Sequence, residues 1–350
     1  MPEILPKFEC YTGVDIAAQD FTAATMLAGA KPKPEAKPFP QTATGFQQFK
    51  ERLLLQKVAA TSHLIVMEAT GTYWIALAIS LYEAGFVVSV VNPAQAHYFA
   101  KAQLKRAKSD LLDAQTLAQL GQALELPSWT PPPQSYHELR QRLSQRDSLL
   151  KLGNQVQNQL QALLVNPIVI QSVQTQLEEL ITTFSKQLKT MDTEIKALLK
   201  ADSAWNKSIA LLQTIPGVGV LTACWLVVAT LNFTVCHSPE ELVHYVGLAP
   251  LERTSGTSIR GRPSIGHSGH FRLRSLLYLG TLSAVRFNPA IKVFWERLRL
   301  EKQKPSKVAR CACARKMLHI AFAVVTSGKA FDPNYQAASK ETKPNQTVTA

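Results

Sequence analysis

The chain lacks what would make it a membrane protein or a disulfide-stapled one. No uninterrupted apolar run in its 350 residues approaches the roughly 20 that a bilayer span needs. The N-terminus, with Pro2, Glu3 and Pro6, lacks the basic-then-apolar pattern of a secretory signal. Cysteine is scarce. Cys10, Cys224, Cys236, Cys311 and Cys313 are odd in number and form no C-x-x-C pair, which argues against a disulfide framework and against a zinc site. A cytoplasmic protein with reduced, mostly buried thiols is expected. Acids are almost missing from one stretch. Between Leu251 and Lys316, fifteen Lys and Arg face three acids, Glu252, Glu296 and Glu301, so +12 of the chain's net +13 lies there. Unopposed positive charge attracts a polyanion, and counterion release supplies the affinity, so nucleic acid is the expected partner.

What is present reads as several domains, for which 350 residues and 46% hydrophobic content suffice. Residues 8–126 alternate between strand and helix patterns. Strands are expected at Glu9–Asp15, Phe21–Met26, His63–Ala69 and Phe86–Val91, and helices at Gly45–Gln56, Tyr73–Glu83 and Ser109–Leu124. The stretch Lys31-Pro32-Lys33-Pro34-Glu35-Ala36-Lys37-Pro38 is expected to be an exposed, extended connection, because its prolines remove donors and fix φ. Asn92-Pro93 is expected to close the last strand. Pro127 to Pro133 reads as a stiff linker. Two long helices follow over residues 134–203. Tyr136 to Val165 carries Leu139, Leu143, Leu150, Val156, Leu160 and Leu163, and the second carries an a/d seam of Leu177, Ile181, Phe184, Leu188, Met191, Ile195 and Leu198. That pattern suits an antiparallel helical pair or a coiled coil joining subunits. Residues 204–330 read as helical and basic, and the polar tail 331–350 as disordered.

Four carboxylates carry the chemistry. Asp15 ends the run Cys10-Tyr11-Thr12-Gly13-Val14, Glu68 ends Leu64-Ile65-Val66-Met67, and Asp110 and Asp113 lie three apart on one helix face. Such acids usually cap helices or sit in solvated loops, but their joint order allows convergence on one point. Four like charges brought together call for a counter-charge, most simply Mg²⁺ or Mn²⁺ held by oxygen ligands. The arrangement resembles that of RNase H and RuvC nucleases.

In the basic region, Ile215-Pro216-Gly217-Val218-Gly219 before an apolar helix makes a turn whose backbone amides, at Gly217 and Gly219, can hold a DNA phosphate, although such turns also serve as packing corners. A Gly- and Ser-rich loop follows. It runs through Gly247-Leu248-Ala249-Pro250 to Arg253-Thr254-Ser255-Gly256, with Arg260, Arg262, Arg272 and Arg274 after it. These five arginines are candidate phosphate contacts, as are Lys101, Lys105, Arg106 and Lys108 near the acids. By composition alone Ser255 is a turn residue.

The set Gly13-Val14-Asp15, Glu68-Ala69-Thr70-Gly71-Thr72-Tyr73, Val91-Asn92-Pro93, Lys108-Ser109-Asp110 with Asp113-Ala114, Ile215 to Gly219, and Gly247 to Pro250 leading to Ser255-Gly256 occurs in order, within a match that runs from about residue 10 to 330. In it the chain resembles the DEDD transposases of the insertion-sequence one-ten family, RNA-guided "bridge" recombinases whose relatives include Piv-type invertases. The resemblance implies an α/β RNase H/RuvC-like domain, a helical coiled-coil domain and a mainly helical transposase domain. It implies that Asp15, Glu68, Asp110 and Asp113 bind Mg²⁺ or Mn²⁺. It also implies that Ser255 of another subunit attacks a DNA phosphate to form a phosphoserine link. A non-coding guide RNA, a homodimer pairing into a tetramer, and a bacterial, nucleoid-associated setting are implied as well. Two departures stand out. His267-Ser268-Gly269 replaces a frequent Ser-Lys-x-Gly, and the insert around Lys31 is longer or stiffer than expected. Ser258 lies so near that choosing Ser255 rests on alignment to Ser-Gly. Competing readings are a junction resolvase using water, a sugar or acyl kinase built on Gly13-Val14-Asp15, and a non-catalytic nucleic-acid binder.

Overall fold

The computed structural model describes residues 7–335 apart from 36–37, 70, 105–108, 202, 256–258 and 267–268, and only the backbone of 201, 203–204, 252–255 and 259–263. The chain divides between Pro131 and Pro132 into two compact units.

In the first unit β1 (Cys10–Ile16) and β2 (Asp20–Leu27) form an antiparallel hairpin. Short strands β3 (Lys33–Pro34) and β4 (Phe39–Pro40) pair with β2. Beyond α1 (Ala43–Leu54), β5 (His63–Glu68) joins β1 in parallel; beyond α2 (Trp74–Glu83), β6 (Val87–Val91) joins β5 in parallel. Helices α3 (Pro93–Ala102) and α4 (Asp110–Ala123) follow. The strand order is β3-β2-β1-β5-β6. The central strands are apolar almost throughout because both faces are covered. Val14, Ile65 and Met67 pack with Phe49 and Leu77 on one face, and Tyr11, Leu64 and Val66 with Leu117 and Leu120 on the other. Inside the sheet, the Thr12 hydroxyl bonds Thr25 Oγ1 at 2.9 Å and His63 Nε2 at 2.8 Å. Burial pushes His63 down to about 4, so it is neutral at physiological pH.

Three expectations need correction. The proline-lysine stretch is not wholly irregular, since Lys33–Pro34 lies on the sheet edge, where a missing donor is tolerated. Asn92-Pro93 starts a helix as well as ending a strand: the Asn92 side chain accepts from Ala94 N at 2.9 Å and Pro93 takes the first turn. The linker is partly docked, with Trp129 N bonded to Val88 O at 2.7 Å and its ring edge-on to Trp74.

The second unit opens with α5 (Gln134–Leu164) and α6 (Gln171–Ala201), an antiparallel pair. Arg146 Nε meets Asp192 at 2.6 Å, Arg142 Nε meets Glu194 at 3.2 Å, and Gly153 faces Phe184, all in one register. Leu149 rather than Leu150 is buried in α5. Next come α7 (Ser203–Gln213), α8 (Val220–Ala229) and α9 (Pro239–Val246). A two-stranded hairpin of β7 (Pro250–Ser255) and β8 (Ile259–Ile265) then interrupts the helices, where a loop was expected. The unit closes with α10 (Phe271–Phe287), α11 (Pro289–Glu296), a π-helical turn Arg297–Glu301, and α12 (Ser306–Ser327). One core runs from Leu139 and Ile195 at the base of the helix pair to Leu212, Leu226, Leu277 and Met317. Phe331, where the tail begins, packs on that core and donates its N–H to Thr214 Oγ1 at 2.8 Å. Residues 336–350 of the expected tail lie outside the described residues.

Candidate active site

Parity along the strands decides which way the acids face. Asp15 follows Tyr11 and Gly13 on alternate positions, and Glu68 follows Leu64 and Val66, so both acids point to the face that α4 covers. The parallel register puts Val14 opposite Met67, and the next step along both strands brings Asp15 beside Glu68. Helix α4 lies hard against this face because Gly13 has no side chain. A Cβ there would collide with the carbonyl oxygen of Ala114 and the amide of Ala118, and would stand 2.8 Å from Leu117 Cβ. At the other end of α4, Gly121 sits over Tyr11 and Val66. The helix therefore starts where β1 ends. Ser109 caps it, its Oγ accepting from Leu112 N at 3.3 Å, and Asp110 and Asp113 occupy the first turn.

The electrostatics register this gathering. Asp15 is pushed up to about 6, first by burial and then by the charges of Asp113, Asp110 and Glu68, against a lowering hydrogen bond from the Ile16 amide. Among the described residues no three acidic, His or Cys side chains are drawn tightly enough to hold a metal ion as they stand. The donor set nonetheless fits one by kind. It is all carboxylate, as Mg²⁺ and Mn²⁺ prefer, and a half-buried carboxyl ringed by like charge is what a divalent ion relieves. Thr70, beside Glu68, lies outside the described residues, as do Lys105, Arg106 and Lys108. Lys101 is exposed in the last turn of α3.

Ser255 is in the second unit, at the last paired position of β7, opposite Ile259. Ser258 lies outside the described residues, as do His267 and Ser268. Of the arginines on the hairpin, Arg253 pairs in the ladder with Gly261 and Arg260 with Thr254, and Arg262 lies in β8. Gly217 and Gly219 play different parts. Gly217, at φ +102°, is a packing corner: a Cβ would come within 2.6 Å of Ala284 Cβ and 2.9 Å of Gly280 O. Gly219 is exposed at the start of α8 with open space around it.

Two family models match. One, described as a transposase and built on the DEDD transposases of IS110 elements, covers residues 12–167; the other, "Transposase IS116/IS110/IS902 family", covers residues 209–296. The pilin gene-inverting protein of Moraxella bovis is 31% identical over 324 residues, 92% of this chain and 97% of that protein. The chain belongs to the IS110 family of DEDD transposases. It is an enzyme of DNA transposition and recombination. The transposase for insertion sequence element IS1111A of Coxiella burnetii is 23% identical to this transposase over 290 residues, 75% of this chain and 77% of that one. T. thermophilus RuvC in complex with Holliday junction substrate aligns with a TM-score of 0.24 and 15% identity over 33% of this chain and 93% of that one, an overlap too slight to carry the fold.

In this transposase Arg272 and Arg274 have protein partners. Arg272 pairs with Asp147 of α5, and Arg274 donates to two backbone carbonyls. A third group of cations, not among the candidates above, sits over aromatic rings. Arg297 and Lys316 lie 5.3 and 4.9 Å from the centroid of Phe294, Arg299 lies 6.0 Å from Trp295, and Arg310 lies 5.9 Å from Tyr278. The i,i+3 and i,i+4 spacings of Phe294 with Arg297 and Trp295 with Arg299 were a usable signal. Burial and then Arg297 push Lys316 down from its ordinary value.

Proposed function

We propose that this transposase cuts and rejoins DNA through a phosphoserine intermediate, with Asp15, Glu68, Asp110 and Asp113 as ligands of Mg²⁺ or Mn²⁺ and Ser255 as the nucleophile. The observation that carries the reading is the gathering of four carboxylates at one end of the sheet, made by the β1–β5 register and the close seat of α4 on Gly13. The strand order, with β1, β5 and β6 parallel and β2 antiparallel, supports an RNase H/RuvC-like first domain. A bound divalent ion supplies Lewis-acid polarisation of a phosphate oxygen and a lower pKa for an attacking hydroxyl. The serine Oγ gives up its proton and bonds to phosphorus, the bond to the leaving deoxyribose oxygen breaks, and that oxygen is protonated. The phosphoserine ester keeps the bond energy, so attack by a second strand's hydroxyl rejoins DNA without a cofactor. A guide RNA pairing with target and donor, and a dimer that pairs into a tetramer, complete the proposal by family resemblance.

The test incubates the full chain, with RNA transcribed from its flanking DNA, with labelled donor and target DNA and Mg²⁺. The parent should yield a denaturant-resistant protein–DNA adduct. Ser255→Ala should abolish adduct and joined product alike, and Asp15→Asn should lower both by at least about 10²-fold. Cutting that survives Ser255→Ala would favour a water-using junction nuclease instead. Activity that persists after ribonuclease treatment would remove the RNA from the scheme.

A further inference from the structure

The β7–β8 hairpin leaves the helical body at Gly247 and returns at Gly266. One side chain spans both ends: Arg274, in the first turn of α10, sends Nη1 to Gly266 O at 3.0 Å and to Gly247 O at 3.3 Å. The two ends also touch directly. Gly269 has φ +97°, and a Cβ there would stand 2.6–2.7 Å from Gly247 N, Gly247 Cα and Val246 C, so the returning chain lies against the departing one with no side chain between. The platform under Arg274 is itself fixed. His270 Nδ1 accepts from Leu273 N at 3.3 Å at the head of α10, and Arg272 in the same turn is paired with Asp147. Above this root, β7 and β8 pair with each other and share no extended contact with another element among the described residues.

A hairpin anchored at its root behaves as a lever. Ser255 stands five positions beyond Pro250, about 17 Å of strand, and a tilt of about 10° at the root moves the tip by about 3 Å. A misplacement of about 1 Å at a reacting atom already costs about 10²-fold in rate.

We propose that Arg274 is a positioning residue: its guanidinium closes the root of the β7–β8 hairpin and thereby sets where Ser255 stands, and it does not contact DNA. The inference rests on the reading of Ser255 as the nucleophile. A charged donor shared between two partly buried carbonyls suits the task, since such bonds are about twice as strong as neutral ones and leave little play.

The experiment compares Arg274→Gln, Arg274→Lys and Gly269→Ala with the parent in the full chain with RNA and DNA. Single-turnover adduct formation at saturating DNA should fall by about 10²-fold in Arg274→Gln and partly recover in Arg274→Lys. DNA affinity and its salt slope should stay within about twofold of the parent. Amide exchange should speed up in 250–255 and 259–265 but not in α12. Gly269→Ala, which disturbs the same root from the other side, should speed exchange in the same strands. An Arg274→Gln protein with unchanged chemistry, unchanged exchange, or a salt slope reduced by about one unit with normal single-turnover rate would overturn the inference, the last marking a phosphate contact. Should Arg274→Gln fail to fold, Arg274→Lys and Gly269→Ala give the same exchange readout. Ser255→Ala run alongside separates the two ideas. If it still cuts, the nucleophile assignment fails; if it is dead while Arg274→Gln runs at full speed, only the clamp fails.

Discussion

Gly13 and Asp15, two positions apart on β1, show how one residue prepares the ground for another. The missing side chain at Gly13 lets α4 approach, and that approach delivers Asp113 and Asp110 to Asp15. The carboxyl of Asp15 then titrates at about 6 rather than at 3.8. In the folded protein the proton is held more tightly than in the unfolded chain, so this group's contribution to stability is lost as pH rises from about 4 through 6. In metal-free buffer near pH 7, Asp15→Asn should therefore be more stable than the parent, by about 1–2 kcal/mol once solvent screening is allowed for, and the gap should close below about pH 4. Urea unfolding with a chelator at both pH values measures it. Equal stability near pH 7 would mean that neither burial nor the neighbouring carboxylates penalise ionised Asp15 in the folded protein. His63 runs the opposite way. Its depressed value removes stability as pH falls from about 6.5 to 4, so the comparison must be parent against variant rather than one pH profile.

Among the elements, the turn before α8 separates packing from openness. Gly217→Ala should cost about 2 kcal/mol or more, since it forces a Cβ into Ala284 at a left-handed φ, whereas Gly219→Ala should stay within about 0.5 kcal/mol. Thermal unfolding decides, and equal losses would refute the packing corner. The strands and most helices of the first unit were legible in the sequence because apolar runs and their terminal acids bound them. Asn92-Pro93 was ambiguous, since a residue pair that stops a strand also caps and opens a helix. The β7–β8 hairpin was hidden because its arginines, serines and glycines show no apolar alternation. The duties of Arg272 and Arg274 were unreadable for another reason: Asp147 and Gly247 lie 125 and 27 positions away, and only the folded chain brings them near. The placing of the four candidate acids was easier to read, because strand parity and helix spacing are local properties.

At the scale of the whole molecule, the net positive charge and the four candidate carboxylates are segregated. The acids cluster in the first unit and nearly all of the net charge lies in the second, whose cations from Arg286 to Lys329 form no salt bridge among the described residues. Several rest on aromatic rings instead, which holds the charge in place without neutralising it. The break between Pro131 and Pro132 also divides the proposed chemistry, with the carboxylates before it and the serine after it. Asp15→Asn and Ser255→Ala are thus lesions in separable halves of the polypeptide. If each catalytic centre draws its halves from two protomers, a mixture of the two dead proteins contains one intact centre in every mixed dimer, and strand cutting should reappear on mixing. If each protomer works alone, the mixture stays as silent as its parts, and a test tube holding two inactive enzymes tells the two arrangements apart.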